Sequence, residues 1–112
     1  MLNYQLQMIR KDNGNVIIGK CRYHADILES DFIFKSSIPN ESVHYEKEFF
    51  YENAKISCVK LIFYENDSKP ANVSVVDGDA NGEKNKIKLH FDSQPGHEIR
   101  YHAYVFGHRN RT

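Results

Sequence analysis

Apolar and polar residues alternate along most of this chain with a period of two, the pattern of strands that bury one face. Leu2, Tyr4, Leu6 and Met8 alternate with Asn3, Gln5 and Gln7 and predict a first strand. Lys11-Asp12-Asn13-Gly14-Asn15 predicts a hairpin turn, because Asn-Gly accepts the positive φ of a tight connection. The return strand runs from about Val16 to His24, and a third strand includes Asp31 to Lys35 with Phe32 and Phe34 on one side. Beyond a turn at Ser36-Ser37-Ile38-Pro39-Asn40, Val43, Tyr45, Phe49 and Tyr51 share a parity opposite His44, Glu46 and Glu48. Lys47 interrupts that apolar side and predicts a bulge or an exposed patch.

Ile56 through Tyr64 reads as an apolar strand, too β-branched for a helix, and Glu65 to Pro70 as a loop. Asn72 to Val76 predicts another strand. Ile87, Leu89 and Phe91 then alternate with Lys86, Lys88, His90 and Asp92. Ser93-Gln94-Pro95-Gly96-His97 turns the chain into a last strand, with Ile99, Tyr101, Ala103 and Val105 opposite His102, Tyr104 and Phe106. The predicted fold is all-β, an antiparallel β-sandwich or flattened barrel of about eight strands. It forms one domain over residues 1–107, with 108–112 expected as a frayed tail.

The 112 residues suit one domain, and 15 Lys+Arg against 15 Asp+Glu leave a formal charge of +0. That balance argues against nucleic acid as a partner, since phosphate binding draws on basic surface. No apolar run has the length of a membrane span, so membrane insertion is not expected. Met1 to Ile9 alternates where a signal peptide has an unbroken apolar stretch. The chain is therefore expected to be either cytosolic or a mature secreted chain with an added Met. Asn-x-Ser/Thr sites at Asn40, Asn66 and Asn72, with one more at Asn110, favour secretion and make the first three candidate glycosylation sites, although an Asn- and Ser-rich chain also makes such triplets freely. Cys21 and Cys58, the only cysteines, suit one disulfide or two buried thiols; their spacing fits neither a zinc knuckle nor a C-x-x-C pair.

Asp77-Gly78-Asp79-Ala80-Asn81-Gly82 repeats the first half of a calcium loop, making Asp77, Asp79 and Asn81 a weak calcium candidate. Lys88 stands where the bidentate carboxylate belongs, and an acidic turn explains the same letters. Six histidines are scattered, with His102 able to face His90 or His44 across neighbouring strands. No nucleophile elbow or phosphate loop occurs, so no catalysis, cofactor or catalytic residue is expected. Seven Tyr and seven Phe either fill the core or line an apolar cavity, and their in-facing parity favours the core.

Asn72-Val73-Ser74-Val75-Val76-Asp77, Asn81-Gly82, Ile87-Lys88-Leu89-His90-Phe91-Asp92-Ser93-Gln94-Pro95-Gly96-His97-Glu98-Ile99 and Tyr104-Val105-Phe106-Gly107 resemble the multiprotein-bridging-factor 2 family, overlapping arthropod salivary secreted peptides. Glu83-Lys84-Asn85 replaces a Gly-rich stretch, and Glu98 stands where glycine is common. The resemblance implies either a secreted arthropod protein of saliva or haemolymph, or a coactivator bridging a nuclear receptor to the basal transcription machinery. It supplies no catalytic residues.

With the sequons and the cysteine pair, the leading expectation is a secreted binder of a host protein or cell surface, modulating defence or inflammation. The intracellular coactivator and a carrier of a small apolar ligand are the alternatives. Asp77, Asp79, Asn81, Ser93, Gln94 and His97 are the candidate binding-loop residues, because rigid sandwiches place function on loops.

Overall fold

A computed structural model describes residues 9–64 and 69–110. The strand expected over Leu2–Met8 and the sequon at Asn66 lie outside the described residues. Eight strands form: β1 (Ile9–Asp12), β2 (Asn15–Gly19), β3 (Asp26–Lys35), β4 (His44–Phe50), β5 (Ala54–Phe63), β6 (Asn72–Gly78), β7 (Lys86–Asp92) and β8 (Ile99–Arg109). They build two antiparallel sheets, one of five strands in the order β1-β2-β5-β8-β3 and one of three in the order β4-β7-β6. The all-β sandwich is thus present, and no helix occurs among the described residues.

Asn13 and Gly14 form the two-residue connection between β1 and β2, with φ of 51° and 88° and Asp12 paired to Asn15. Two positive φ values in succession are what a type I′ hairpin needs, and Asn-Gly supplies them at little steric cost. β2 ends at Gly19, short of the expected His24, and Tyr23 beyond it is 99% exposed. β3 begins at Asp26, earlier than expected, and carries a bulge between Ile27 and Glu29. β8 continues past Gly107, with His108 and Arg109 paired to Lys55 and Ala54.

The core lies between the sheets. Ile99, Tyr101, Ala103 and Val105 of β8 are fully buried with Val59 and Leu61 of β5, facing Ile87, Leu89 and Phe91 of β7. Tyr101 packs its ring 5.7 Å from Phe63 and 5.6 Å from Phe91, and its hydroxyl accepts from the Ala71 amide at 2.9 Å. That bond gives a buried polar tip its partner. In β5 the inward residues change parity between Ile56 and Val59, and a bulge at Ser57 absorbs the extra residue. The Ser57 hydroxyl donates to the Phe106 carbonyl at 3.2 Å.

Opposite that bulge sits Gly107. A Cβ there would meet the Lys55 carbonyl oxygen at 2.0 Å and Leu28 Cδ1 at 2.8 Å, so the glycine that closes the aromatic-Gly motif is required by close strand approach.

The expected bulge at Lys47 is absent: β4 pairs with β7 without a break from His44 to Phe50. Lys47 reaches across to the other sheet instead, with Nζ 2.9 Å from Asp31 Oδ2 of β3. Beside it, the Tyr51 hydroxyl donates to Glu29 Oε1 at 2.6 Å. Burial first, then the Glu29 carboxylate, pushes the Tyr51 phenol upward. The hydrogen bond from Lys47 holds Asp31 below the usual carboxylate range and correspondingly raises Lys47.

Gly107→Ala is expected to destabilise the fold by about 1–3 kcal/mol, as overpacking does, read as a lower urea midpoint at unchanged slope. For Asp31 the depressed pKa means stability that is present above the unfolded value of ~3.9 and lost as pH falls through the folded value. The stability gap between wild type and Asp31→Asn should therefore be measurable by urea unfolding near neutrality and close as pH falls through and below the ordinary carboxylate range. A gap that stayed constant down to acid would contradict this account of the Asp31–Lys47 pair.

Candidate functional site

Because β8 buries its odd-numbered side chains, it presents Arg100, His102, Tyr104 and Phe106 on the outer face of the five-stranded sheet. The register sets Phe34 and Phe32 of β3 beside Arg100 and His102, and Ile62 and Lys60 of β5 beside His102 and Tyr104. The result is a continuous aromatic strip. Phe34 and Phe32 stack with centroids 6.3 Å apart, Phe32 lies 5.6 Å from Tyr64, Tyr64 6.4 Å from His102, and His102 stacks on Tyr104 at 4.5 Å. His102 Nε2 is 2.7 Å from Ser30 Oγ, which fixes the ring. Phe32, Phe34 and Tyr64 are 49%, 42% and 41% exposed, so three neighbouring large apolar side chains share this face with solvent.

Cations sit on this strip. The Arg100 guanidinium lies 5.2 Å from the Phe34 centroid and Lys60 Nζ 5.4 Å from that of Phe106, within cation–π range. Arg100 Nε is 2.7 Å from Glu98 Oε2 but off the hydrogen-bond line, so this is a charge contact. Farther along, Arg10, Ile17, Lys60 and Ile62 help to line a hollow of about 390 Å³ on the same sheet.

The outer face of the three-stranded sheet is a ladder of charge. Glu46 Oε1 lies 3.3 Å from Lys88 Nζ and its Oε2 3.0 Å from His90 Nδ1, while Asp77 Oδ2 lies 3.1 Å from Lys86 Nζ. His90 Nε2 is 2.9 Å from Asp92 Oδ1, the oxygen that also meets His44 Nδ1. Hydrogen bonds to Glu46 and then Asp92 hold His90 above the usual histidine value; those from Lys86 to Asp77 and from His44 to Asp92 hold these carboxylates low. His102, on the opposite sheet, does not join the other two histidines as the sequence suggested.

The loop residues close the two ends of the sandwich and do not converge. Asp79 accepts from its neighbours, the Ala80 amide at 2.9 Å and Asn81 Nδ2 at 3.0 Å, and Asn81 Oδ1 accepts from the Glu83 amide at 2.9 Å. With Asp77 held by Lys86, these oxygens have their hydrogen-bond partners within the turn and its neighbouring strand. Gly82 donates its amide to Ile56 at 2.7 Å, tying the turn to β5. Past the far end of β7, Ser93 exchanges hydrogen bonds with the Val43 backbone at 2.8 and 2.9 Å, Gln94 reaches the Pro70 carbonyl at 3.4 Å, and His97 Nδ1 accepts from the Lys69 amide at 3.2 Å. Cys21 and Cys58 are joined, with Cα atoms 4.9 Å apart, next to Gly19 and Phe106. Asn40 and Asn72 are exposed.

Compared with family models, residues 18–107 match the family described as transcription activator MBF2. The chain belongs to the MBF2 family. No curated protein matches, and no solved structure matches. Membership in MBF2 corrects the expected grouping with arthropod salivary peptides, which the match does not support. It likewise overturns the reading as a secreted protein of saliva, because a transcription activator acts inside the cell. MBF2 membership implies protein partners, and the host partner has no support. Among the described residues, no helix is long and apolar enough to cross a membrane.

Sequence reasoning assigned the aromatics chiefly to the core and so missed the exposed strip. The signal was present in Phe32-Ile33-Phe34, where large apolar residues of both parities mean one set must face outward. The Cys21–Cys58 bond joins positions 37 apart, and reducing it is expected to lower unfolding free energy by about 3–4 kcal/mol on the chain-entropy argument. Urea unfolding with and without dithiothreitol checks this; identical midpoints would mean that the bond constrains little.

Proposed function

We propose that this MBF2-family chain is a non-catalytic transcription activator, acting in the nucleus by holding other proteins. Its docking surface is the aromatic outer face of the five-stranded sheet. The observation that carries the proposal is the continuous strip from Phe34 through Phe32, Tyr64 and His102 to Tyr104, overlaid by Arg100 and flanked by Lys60 and Arg10. Exposed aromatics on a rigid sheet supply large contact area at low entropic cost, and aromatic and arginine side chains dominate interface hot spots.

The chemistry of the strip selects its partner. Among the described residues, Arg100 alone of the cations there has a carboxylate contact on the face, from Glu98, and Lys60 is held over a ring. The favoured occupant is therefore an acidic protein segment with interspersed apolar side chains, whose carboxylates meet Arg10, Lys60 and Arg100 while its apolar groups lie on the rings. In the bridging form of this reading, one partner is a nuclear receptor and the other the basal transcription machinery.

The test is the combined Phe32→Ser, Phe34→Ser, Tyr64→Ser variant, compared with wild type in a reporter-gene assay and in titrations of a fluorescent acidic peptide containing Phe and Leu. Surface changes of this kind move stability by about 0.5 kcal/mol each, so the fold should persist by circular dichroism. Peptide affinity should fall at least about tenfold, since aromatic anchors contribute about 2 kcal/mol or more, and activation should fall with it. Unchanged activation and peptide binding in a folded variant would remove this face as the docking surface.

A further inference from the structure

On the opposite side of the sandwich, the pairing of β4 with β7 sets His44 across from Asp92 and Glu46 across from His90. Two imidazoles and two carboxylates thus share one patch of one sheet face. His44 Nδ1 and His90 Nε2 both point at Asp92 Oδ1, and the two rings lie nearly parallel at 27° with centroids 6.0 Å apart. One donor atom from each of His44, His90 and Asp92 lies within 4.8 Å of the other two.

We propose that His44, His90 and Asp92 form a zinc-binding site on the outer face of the three-stranded sheet, with Glu46 as the residue that positions His90. The donor set selects the ion. Two imidazoles and one carboxylate suit zinc and its nitrogen-preferring neighbours, whereas calcium and magnesium take oxygen ligands. Bonds of about 2.0–2.2 Å place tetrahedral donors roughly 3.3–3.5 Å from one another, so the two histidine–Asp92 hydrogen bonds must open to admit the ion. The exposed ring of His44, whose side chain is 65% accessible, is free to make that movement.

Glu46 completes the arrangement from behind. Its Oε2 is 3.0 Å from His90 Nδ1, so when zinc replaces the proton that Nε2 donates to Asp92, and that proton leaves to solvent, Nδ1 keeps its own proton on Glu46. Lys88 holds the other oxygen of Glu46 at 3.3 Å and keeps the carboxylate in this outer role. Three protein ligands on a solvent-facing sheet leave the fourth tetrahedral position to water or to a donor from a bound protein.

The test is calorimetric titration of the metal-free, oxidised full chain with zinc chloride, repeated with calcium chloride, alongside histidine ring NMR. One zinc should bind per chain, shift the ring signals of His44 and His90, and leave those of His24 and His102 in place; calcium should give no saturable heat. His44→Gln, at an exposed position, should keep the fold by circular dichroism and weaken zinc at least tenfold, as should His90→Ala. Glu46→Gln should weaken it about 10–100-fold while the ring shifts remain. Absence of saturable zinc binding, or binding unchanged in His44→Gln, would overturn the site.

Discussion

A strand with a two-residue period cannot choose its two faces independently, and β8 is where that constraint governs this molecule. Its burial of Ile99, Tyr101, Ala103 and Val105 is the centre of the core, supported by β5 on one side and β3 on the other. The same geometry commits Arg100, His102, Tyr104 and Phe106 to the outer face. Slipping the register by one residue would bury the guanidinium and expose the core, so the aromatic strip is fixed by the interior. The surface proposed for partners is in this sense the reverse side of the hydrophobic core.

Much of the fold was legible because the period-2 signal is strong where one face is buried and the other wet. Ile87, Leu89 and Phe91 lie fully buried on β7 with Lys88 and His90 outside, as the alternation predicts. The Asn13-Gly14 turn was legible from local chemistry alone. What could not be read was whatever depends on a neighbour in space. Lys47 looks like a defect in β4 until Asp31 arrives from the other sheet. Ser57 looks like part of a regular strand until the shift in pairing shows it as a bulge. His44 and His90 meet only because β4 and β7 are adjacent in the sheet, an order that periodicity does not encode.

The loops drew attention for a general reason, that sandwiches often carry function at their ends. Here the polar side chains of those loops are occupied by the fold itself, Asn81 within its own turn on the Glu83 amide and Ser93 on the Val43 amide. Membership in a transcription activator family also changes the meaning of the cysteine pair. Intracellular thiol buffers keep most such pairs reduced. With Cys58 fully buried between Gly19 and Phe106, a reduced thiol there still packs as a small apolar side chain.

The inward acids of β3 have a bearing on solubility. Among the described residues β3 is an edge strand ten residues long, it carries Phe32 and Phe34, and its outer row of backbone groups has no sheet partner. Such an edge invites a second chain to add itself and start a growing stack. Glu29 and Asp31 oppose this, since on the face turned toward the core they are satisfied by Tyr51 and Lys47 of this one sandwich. A strand laid alongside from another molecule would have to cover those carboxylates without bringing a lysine or a phenol of its own. The two cross-sheet contacts therefore act as a guard against edge-to-edge aggregation as well as a clasp between the sheets.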